Sequence, residues 1–492
     1  MIPARLYGLI TTTLWFALWS ILFHDSAQGQ SNVLSLSGPD SADFVIMERI
    51  ILDGNKRTHP SIILRELKFH QGDTIAAKSL AVMLTKAKEN VFNTGLFNFV
   101  TFDTAYQYGG RKITLTIHLI ERWYIWPLPY FDFSDQNFNA WWETRDFSRL
   151  TYGVDLTFFN VRGRNETLTL LAHFGFNQLF GFDYNIPYIN FKQTVGLGFG
   201  ASYEINHEVV VQSAGNKPVY YKDPANYPKQ QFSGYAEVRL RPSIYSTHTF
   251  SVAYNHYYFR DTVLSIPGFS LTSSNSQDFV SFYYQFKNDH RDIHFYPLTG
   301  YYFDVEFLHC VPYAITHNTW VKLNARKYWQ IYNRWYFATG FEGKISFAKE
   351  QPYFLQQGLG YGREYVRGYE YYIIDGQHFA LLKNNFKFAI VPQRVIKLAF
   401  LKSQKFNTVP LALYLNIFAD FGYVYSYMAA GKLPSLPSTT LTNDQNSLQN
   451  KLEYGYGVGV DFTTYYDIVL RMEFAMNGFG KPGFYLHFVA PI

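Results

Sequence analysis

The segment Tyr365-Val366-Arg367-Gly368-Tyr369-Glu370 sets one guanidinium among aromatic rings and glycine, inside a long connection from Glu350 to Gln377. A solvated loop mixes small polar residues, whereas this composition suits packing in an interior. A guanidinium buried there without a counter-charge is costly, so a carboxylate should lie opposite it. The chemistry on offer is electrostatic fastening. No set of residues suggests turnover of a substrate. His207-Glu208 lacks the second histidine of a zinc protease motif, and the fourteen histidines show no pair at metal-ligand spacing. Gly196-Leu197-Gly198-Phe199-Gly200 and Gly455-Tyr456-Gly457-Val458-Gly459 alternate glycine in the manner of closely packed strands rather than of a phosphate cradle. The chain is expected to be no enzyme and to hold no cofactor or metal. A barrel-embedded hydrolase would need a nucleophile and base converging on a loop rim from distant positions.

The elements that must position such a pair are strands. From Trp123 to the C-terminus, segments of about ten residues alternate apolar with polar or small side chains and end in turns, the pattern of a membrane-spanning β-barrel. Ile468, Leu470, Met472, Phe474 and Met476 share one face, while Arg471, Glu473 and Asn477 share the other. Leu411, Leu413, Leu415, Ile417, Ala419 and Phe421 likewise oppose Asn416, Phe418, Asp420 and Gly422, which puts Asp420 in the lumen if the aliphatic face meets lipid. Aromatic residues make 20% of the chain against 16% charged, as interfacial girdles around a polar lumen require. A soluble double sandwich would also alternate, but not with so many exposed rings. At roughly ten residues per tilted strand plus connections, the stretch accommodates about 16 antiparallel strands. The first is expected at 123–133 and the last at 483–490, with others at 378–390 and 410–425. Val161 to Asn165 and Asn333-Arg334 suit tight turns at one end. Glu208 to Gln230, Ser265 to Gln277, Glu350 to Gln377 and Ser426 to Leu452 suit long loops at the other, or loops folded into the pore.

Residues 1–29 carry an export signal: Arg5, an apolar stretch from Leu6 to Phe23, then small residues at Ala27 and Gly29. Residues 30–43 form a polar linker. The net charge of +5 is scattered, which argues against nucleic acid as a partner. Export and a barrel together point to a bacterial outer membrane. The single cysteine, Cys310, is expected to face lipid or a neighbour and to do no chemistry.

Residues 44–121 have a different texture. A strand from Val45 to Leu52, a turn at Asp53-Gly54-Asn55, a short helix opened by His59-Pro60, a second helix near Ile75 to Asn93 and two closing strands make a small α+β unit. Leu80, Leu84, Ala87 and Val91 form the apolar stripe of the longer helix. Gly54-Asn55 with Thr58, Gly72-Asp73, and Thr94-Gly95-Leu96-Phe97 followed by Val100 fall in an order and spacing that resembles a POTRA domain. That domain is the periplasmic module of the BamA/TamA-type outer-membrane assembly and translocation family, also called bacterial surface antigens. Val366-Arg367-Gly368-Tyr369 looks like the signature on that family's sixth outer loop, which folds into the barrel. Phe418, Asp420 and Gly422 resemble the motif on the strand that receives it.

The resemblance covers residues 44–492 and implies an all-β membrane fold: one POTRA-like module before a barrel over residues 122–492, with an Arg367–Asp420 contact inside. It also implies insertion of outer-membrane proteins, with the module capturing client strands and the barrel admitting them at a weak seam. Pro127, Pro129 and Pro482, with Gly478, Gly480 and Gly483, weaken pairing where the first and last strands would meet. The implied partners are the lipid bilayer, unfolded outer-membrane or secreted polypeptides and accessory lipoproteins. A secretion pore of the same family, or a passive pore, stays open as an alternative. One departure is the ending Val489-Ala490-Pro491-Ile492, where family barrels close on an aromatic residue.

Overall fold

The computed structural model describes residues 43–107, 110–132, 147–398, 401–429, 446–488 and 490. The expected export signal and nearly all of the linker lie outside them, as do Val489, Pro491 and Ile492 of the chain's ending. No helix among the described residues is long and apolar enough to cross a membrane.

The N-terminal module runs β1 (Phe44–Asp53), α1 (Pro60–Leu64), β2 (Thr74–Ala76), α2 (Ala77–Phe92), β3 (Phe97–Gln107) and β4 (Lys112–Glu121). Its sheet has the order β2-β1-β4-β3, with β1 parallel to β4. The start of the expected second helix is instead strand β2. Thr74 and Ile75 pair with Ile46 and Val45, leaving α2 to begin at Ala77. Leu80, Leu84, Ala87 and Val91 of α2 pack on Met47, Ile113, Leu115 and Ile117 of the sheet. Gly54 turns with φ +94, and a Cβ there would collide with Leu119 O. The buried carboxylate of Glu121 then secures the turn: one oxygen accepts from Arg57 N, Thr58 N and Thr58 Oγ1 at 2.9, 2.8 and 2.8 Å. Tyr124, just beyond β4, donates to Leu96 O; burial pushes its phenol up to about 12, so it remains a neutral donor.

The second part is one antiparallel sheet of sixteen strands. They are β5 (Ile125–Asp132), β6 (Thr151–Val161), β7 (Glu166–Gly175), β8 (Gln178–Ile186), β9 (Val195–Asn206), β12 (Lys229–Leu240), β13 (Ser246–Phe259), β14 (Ser276–Asp289), β15 (Gly300–Val311), β16 (Thr319–Tyr332), β17 (Trp335–Ser346), β18 (His378–Lys397), β19 (Thr408–Tyr425), β20 (Leu452–Thr463), β21 (Val469–Asn477) and β22 (Pro482–His487). Each pairs with its neighbour in sequence, except that β9 pairs with β12 across a separate hairpin, β10 (Glu208–Ala214) and β11 (Lys217–Lys222). That hairpin occupies the expected loop from Glu208. Period-two alternation sets the two faces. On β19, Tyr414, Asn416, Phe418, Asp420 and Val424 are buried, while Leu415, Ile417, Phe421 and Tyr423 are exposed. Tyr454, Val458, Met472, Phe474, Phe484 and Leu486 extend the exposed apolar belt across the last strands.

Two expectations need correction. Cys310 does not face lipid: it is buried on the same face as Asp304, with Ser281 as its neighbour across the ladder. Its even spacing from Asp304 already assigned that face. β18 and β19 also run past the expected ends, the ladder continuing to Lys397↔Thr408. This projecting hairpin reaches the N-terminal module, where Asn98 Nδ2 donates to Lys405 O at 3.0 Å. Other turns at that end of the sheet make similar contacts. Arg241 grips Glu66 with two hydrogen bonds of 2.7 and 2.8 Å, Asn93 Nδ2 donates to Asp292 O, and His59 N donates to Gly163 O.

Glu121→Ala removes an acceptor shared by three donors. At about 1.5–3 kcal/mol per hydrogen bond to a charged group, the variant should lose on the order of 3 kcal/mol locally. Faster amide exchange and proteolysis within residues 44–121 of the intact chain is the expected readout. Glu121→Gln, which keeps the acceptor, should recover most of the protection.

Candidate functional site

The connection between β17 and β18 turns into the space that the buried faces of β18 to β22 enclose. A bridge between Leu359 and Ile374 draws its two limbs together. Leu359, Val366, Tyr369 and Ile374 pack against Phe379, Leu381 and Val424 of the wall. The tip of this plug carries Arg367, and it is fully buried, as is Asp420.

A guanidinium offers five N–H donors, and all five of Arg367 are met. Nε donates to Asp420 Oδ2 at 2.7 Å and Nη2 to Asp420 Oδ1 at 2.5 Å. Nη1 donates to Asn385 Oδ1 at 2.7 Å and to Glu473 Oε1 at 3.2 Å, and Nη2 donates to Asn384 O at 3.3 Å. The Phe418 ring lies 3.9 Å beneath Cζ. Three strands, β18, β19 and β21, therefore converge on one side chain. The bidentate fork suits arginine and would not suit lysine.

Glycines make the approach possible. A Cβ on Gly422 would strike Val366 Cγ2, and one on Gly455 would strike Arg367 O. Gly368 holds φ +95, and its carbonyl accepts from Asn477 Nδ2 at 3.0 Å and Tyr485 Oη at 3.3 Å. Tyr369 Oη donates to Glu453 at 2.6 Å and accepts from Gly478 N at 3.0 Å. Val366, Arg367, Gly368 and Tyr369 thus meet Phe418, Asp420 and Gly422 across one interface. Glu473, Asn385 and Asn384 were missed as partners of Arg367. Glu473 had a usable signal in its lumenal parity beside Arg471; Asn384 and Asn385, a consecutive pair of which one contributes a backbone carbonyl, had none.

The sheet ends at β5 and β22, and among the described residues no ladder joins them. Both are short: β22 pairs with β21 only from Met476↔Pro482 to Arg471↔His487. Pro127 and Pro129 occupy alternate positions of β5, so their missing donors fall on one edge of the strand. Side chains bring the start of β5 close to the β20–β21 turn. Arg122 is bidentate to Asp467 at 2.6 and 2.9 Å, and Trp126 meets Tyr466 edge-on at 4.7 Å.

Asp420→Ala strands a buried guanidinium, a change that typically costs about 3–5 kcal/mol. The variant should lose heat-resistant compact mobility on detergent gels at lower temperature than the parent. Arg367→Lys should also be destabilised, because one ammonium cannot reproduce the fork.

Comparisons with known proteins agree with this geometry. The model described as "Omp85 superfamily domain" matches residues 160–478, and that described as "Surface antigen variable number repeat", a POTRA model, matches residues 45–122. No curated protein matches the chain in sequence. Among solved structures it is similar to CdiB from Escherichia coli, with 10% identity and a TM-score of 0.52 over 90% of this chain and 75% of that one. It is also similar to BamA from Haemophilus ducreyi lacking POTRA domains 1-3, with 15% identity and a TM-score of 0.49 over 90% of this chain and 83% of that one. At these identities the likeness is one of fold. The family models, the plugged sixteen-strand sheet and the module ahead of it lead to one conclusion: the chain belongs to the Omp85 superfamily of outer-membrane barrels, whose members act on client polypeptides.

Proposed function

We propose that this protein assembles other proteins into the outer membrane, with its POTRA module in the periplasm and its plug loop entering from the outer side. The observation that carries the reading is that, among the described residues, no ladder joins β5 to β22. An edge strand presents a row of unpaired donors and acceptors, and a client hairpin can pair with it. In hydrocarbon those groups have no water to turn to, so pairing with a client is strongly favoured over leaving them bare. In the module, β3 is an end strand of eleven residues. Strand addition there would use main-chain hydrogen bonds and so tolerate many client sequences.

The buried loop weighs against a passive pore, because Arg367 and its aromatic neighbours occupy the lumen. Secretion of a dedicated polypeptide is the competing activity. The likeness to CdiB is one of fold alone and does not favour it.

Cysteines introduced on β5 and β22 in a Cys310→Ser background, once cross-linked, should reduce insertion of newly made barrels at least tenfold, with recovery on reduction. Undiminished insertion by a chain verified as fully cross-linked would refute the seam. Depletion followed by outer-membrane proteomics separates the activities: broad loss of barrels supports assembly, and loss of one exported polypeptide supports secretion.

A further inference from the structure

We infer a divalent-cation site where the plug meets the last strand, formed by Glu370, Glu473 and His487. Glu370 follows the plug motif, Glu473 stands on β21 and His487 ends β22, and one ligand atom of each lies within 4.8 Å of the others. His487 Nε2 is 3.6 Å from Glu370 Oε1 and 3.8 Å from Glu473 Oε2. Those separations are too long for hydrogen bonds. The first lies at the upper end of the roughly 3.3–3.6 Å between ligands that share a tetrahedral zinc ion, and the second slightly beyond it.

The two carboxylates are held as ligands would be. Glu370 Oε2 accepts from Gly368 N at 2.8 Å, and Glu473 Oε1 accepts from Arg367 Nη1 at 3.2 Å. The second oxygen of each, Glu370 Oε1 and Glu473 Oε2, is buried and receives no hydrogen bond. Arg471 Nε lies 3.1 Å from Glu473 Oε2 but off the N–H axis, an ionic contact that a ligating carboxylate can keep as outer support. Tyr365 Oη, 3.4 Å from His487 Nδ1 and 3.5 Å from Nε2, with its ring stacked on the imidazole, restrains the imidazole without selecting the nitrogen that meets the ion. Of the cations nearby, Arg367 is paired with Asp420 as well as Glu473, Arg471 would share Glu473 with the ion, and Lys383 Nζ lies 4.4 Å over the Tyr365 ring.

Two carboxylates and one imidazole, with a position left for water, suit Zn2+ or a similar first-row ion such as Co2+. The ion would cross-link the plug, β21 and β22, and so fasten the strand of the large sheet with the fewest ladder partners. The assignment stands on these three side chains and does not rest on the insertion reading.

The purified full-length chain in detergent, stripped with a chelator, is titrated with Zn2+ and Co2+. We expect one Zn2+ per chain by equilibrium dialysis and a cobalt absorption band typical of mixed nitrogen and oxygen ligands. His487→Ala and Glu370→Gln should each weaken binding more than 100-fold, and Tyr365→Phe about 10-fold. Heat-dependent gel mobility verifies that each variant is folded. Zn2+ should slow amide exchange in β22 of the parent and leave it unchanged in His487→Ala. A folded parent that retains no stoichiometric Zn2+, or folded His487→Ala and Glu370→Gln chains that bind it as tightly as the parent, overturns the site.

Discussion

The burial of one guanidinium constrains the interior of this barrel. Removing Arg367 from water is tolerable only because its five donors find partners on β18, β19 and β21, and because Phe418 fills the space beneath it. Those partners come from three strands whose registers must agree to within a residue. A slip of one position on β19 would turn Asp420 to the lipid face. Loop, wall and register are therefore specified together. The glycines at 422 and 455 belong to the same arrangement, since they let the loop backbone approach to contact distance.

The same wall is weakest at its ends. Interior strands pair over long ladders, and β18 and β19 run together for most of their lengths. β22, by contrast, is held by a short ladder on one side and by contacts from the plug: Tyr485 Oη to Gly368 O, and His487 beside Tyr365 and Glu370. Side chains thus share with a short backbone ladder the task of holding the last strand in place. A closed sheet abolishes edges and buries every amide; among the described residues this one keeps two edges and compensates with packing. That division of labour is consistent with a wall meant to be stable everywhere except at one line.

Much of this is legible in the sequence. Period-two alternation assigned the faces of β19 and β21, and so the lumenal position of Asp420 and Glu473, because lipid and lumen impose opposite polarity on successive residues. The stripe Leu80, Leu84, Ala87 and Val91 located α2 for the analogous reason. What escaped was decided by pairing rather than by pattern. Thr74–Ala76 is too short to show a period and is a strand only because β1 lies beside it. The β10–β11 hairpin sits outside the sheet, where no lipid face disciplines its sequence. Cys310 was assigned by residue type when its parity with Asp304 was the better guide. The full set of donors and acceptors around Arg367 requires three strands in space, and no single segment encodes it.

The overlong hairpin of β18 and β19 carries a mechanical implication. Its tip touches Asn98 and Arg122 at one end of the molecule, and the same two strands carry Asn385 and Asp420 to the heart of the plug. Hydrogen-bonded ladders resist stretching and shear far better than loops do. A pull on the N-terminal module would therefore reach the arginine clasp along this rod, besides reaching β5 through the short connection after β4.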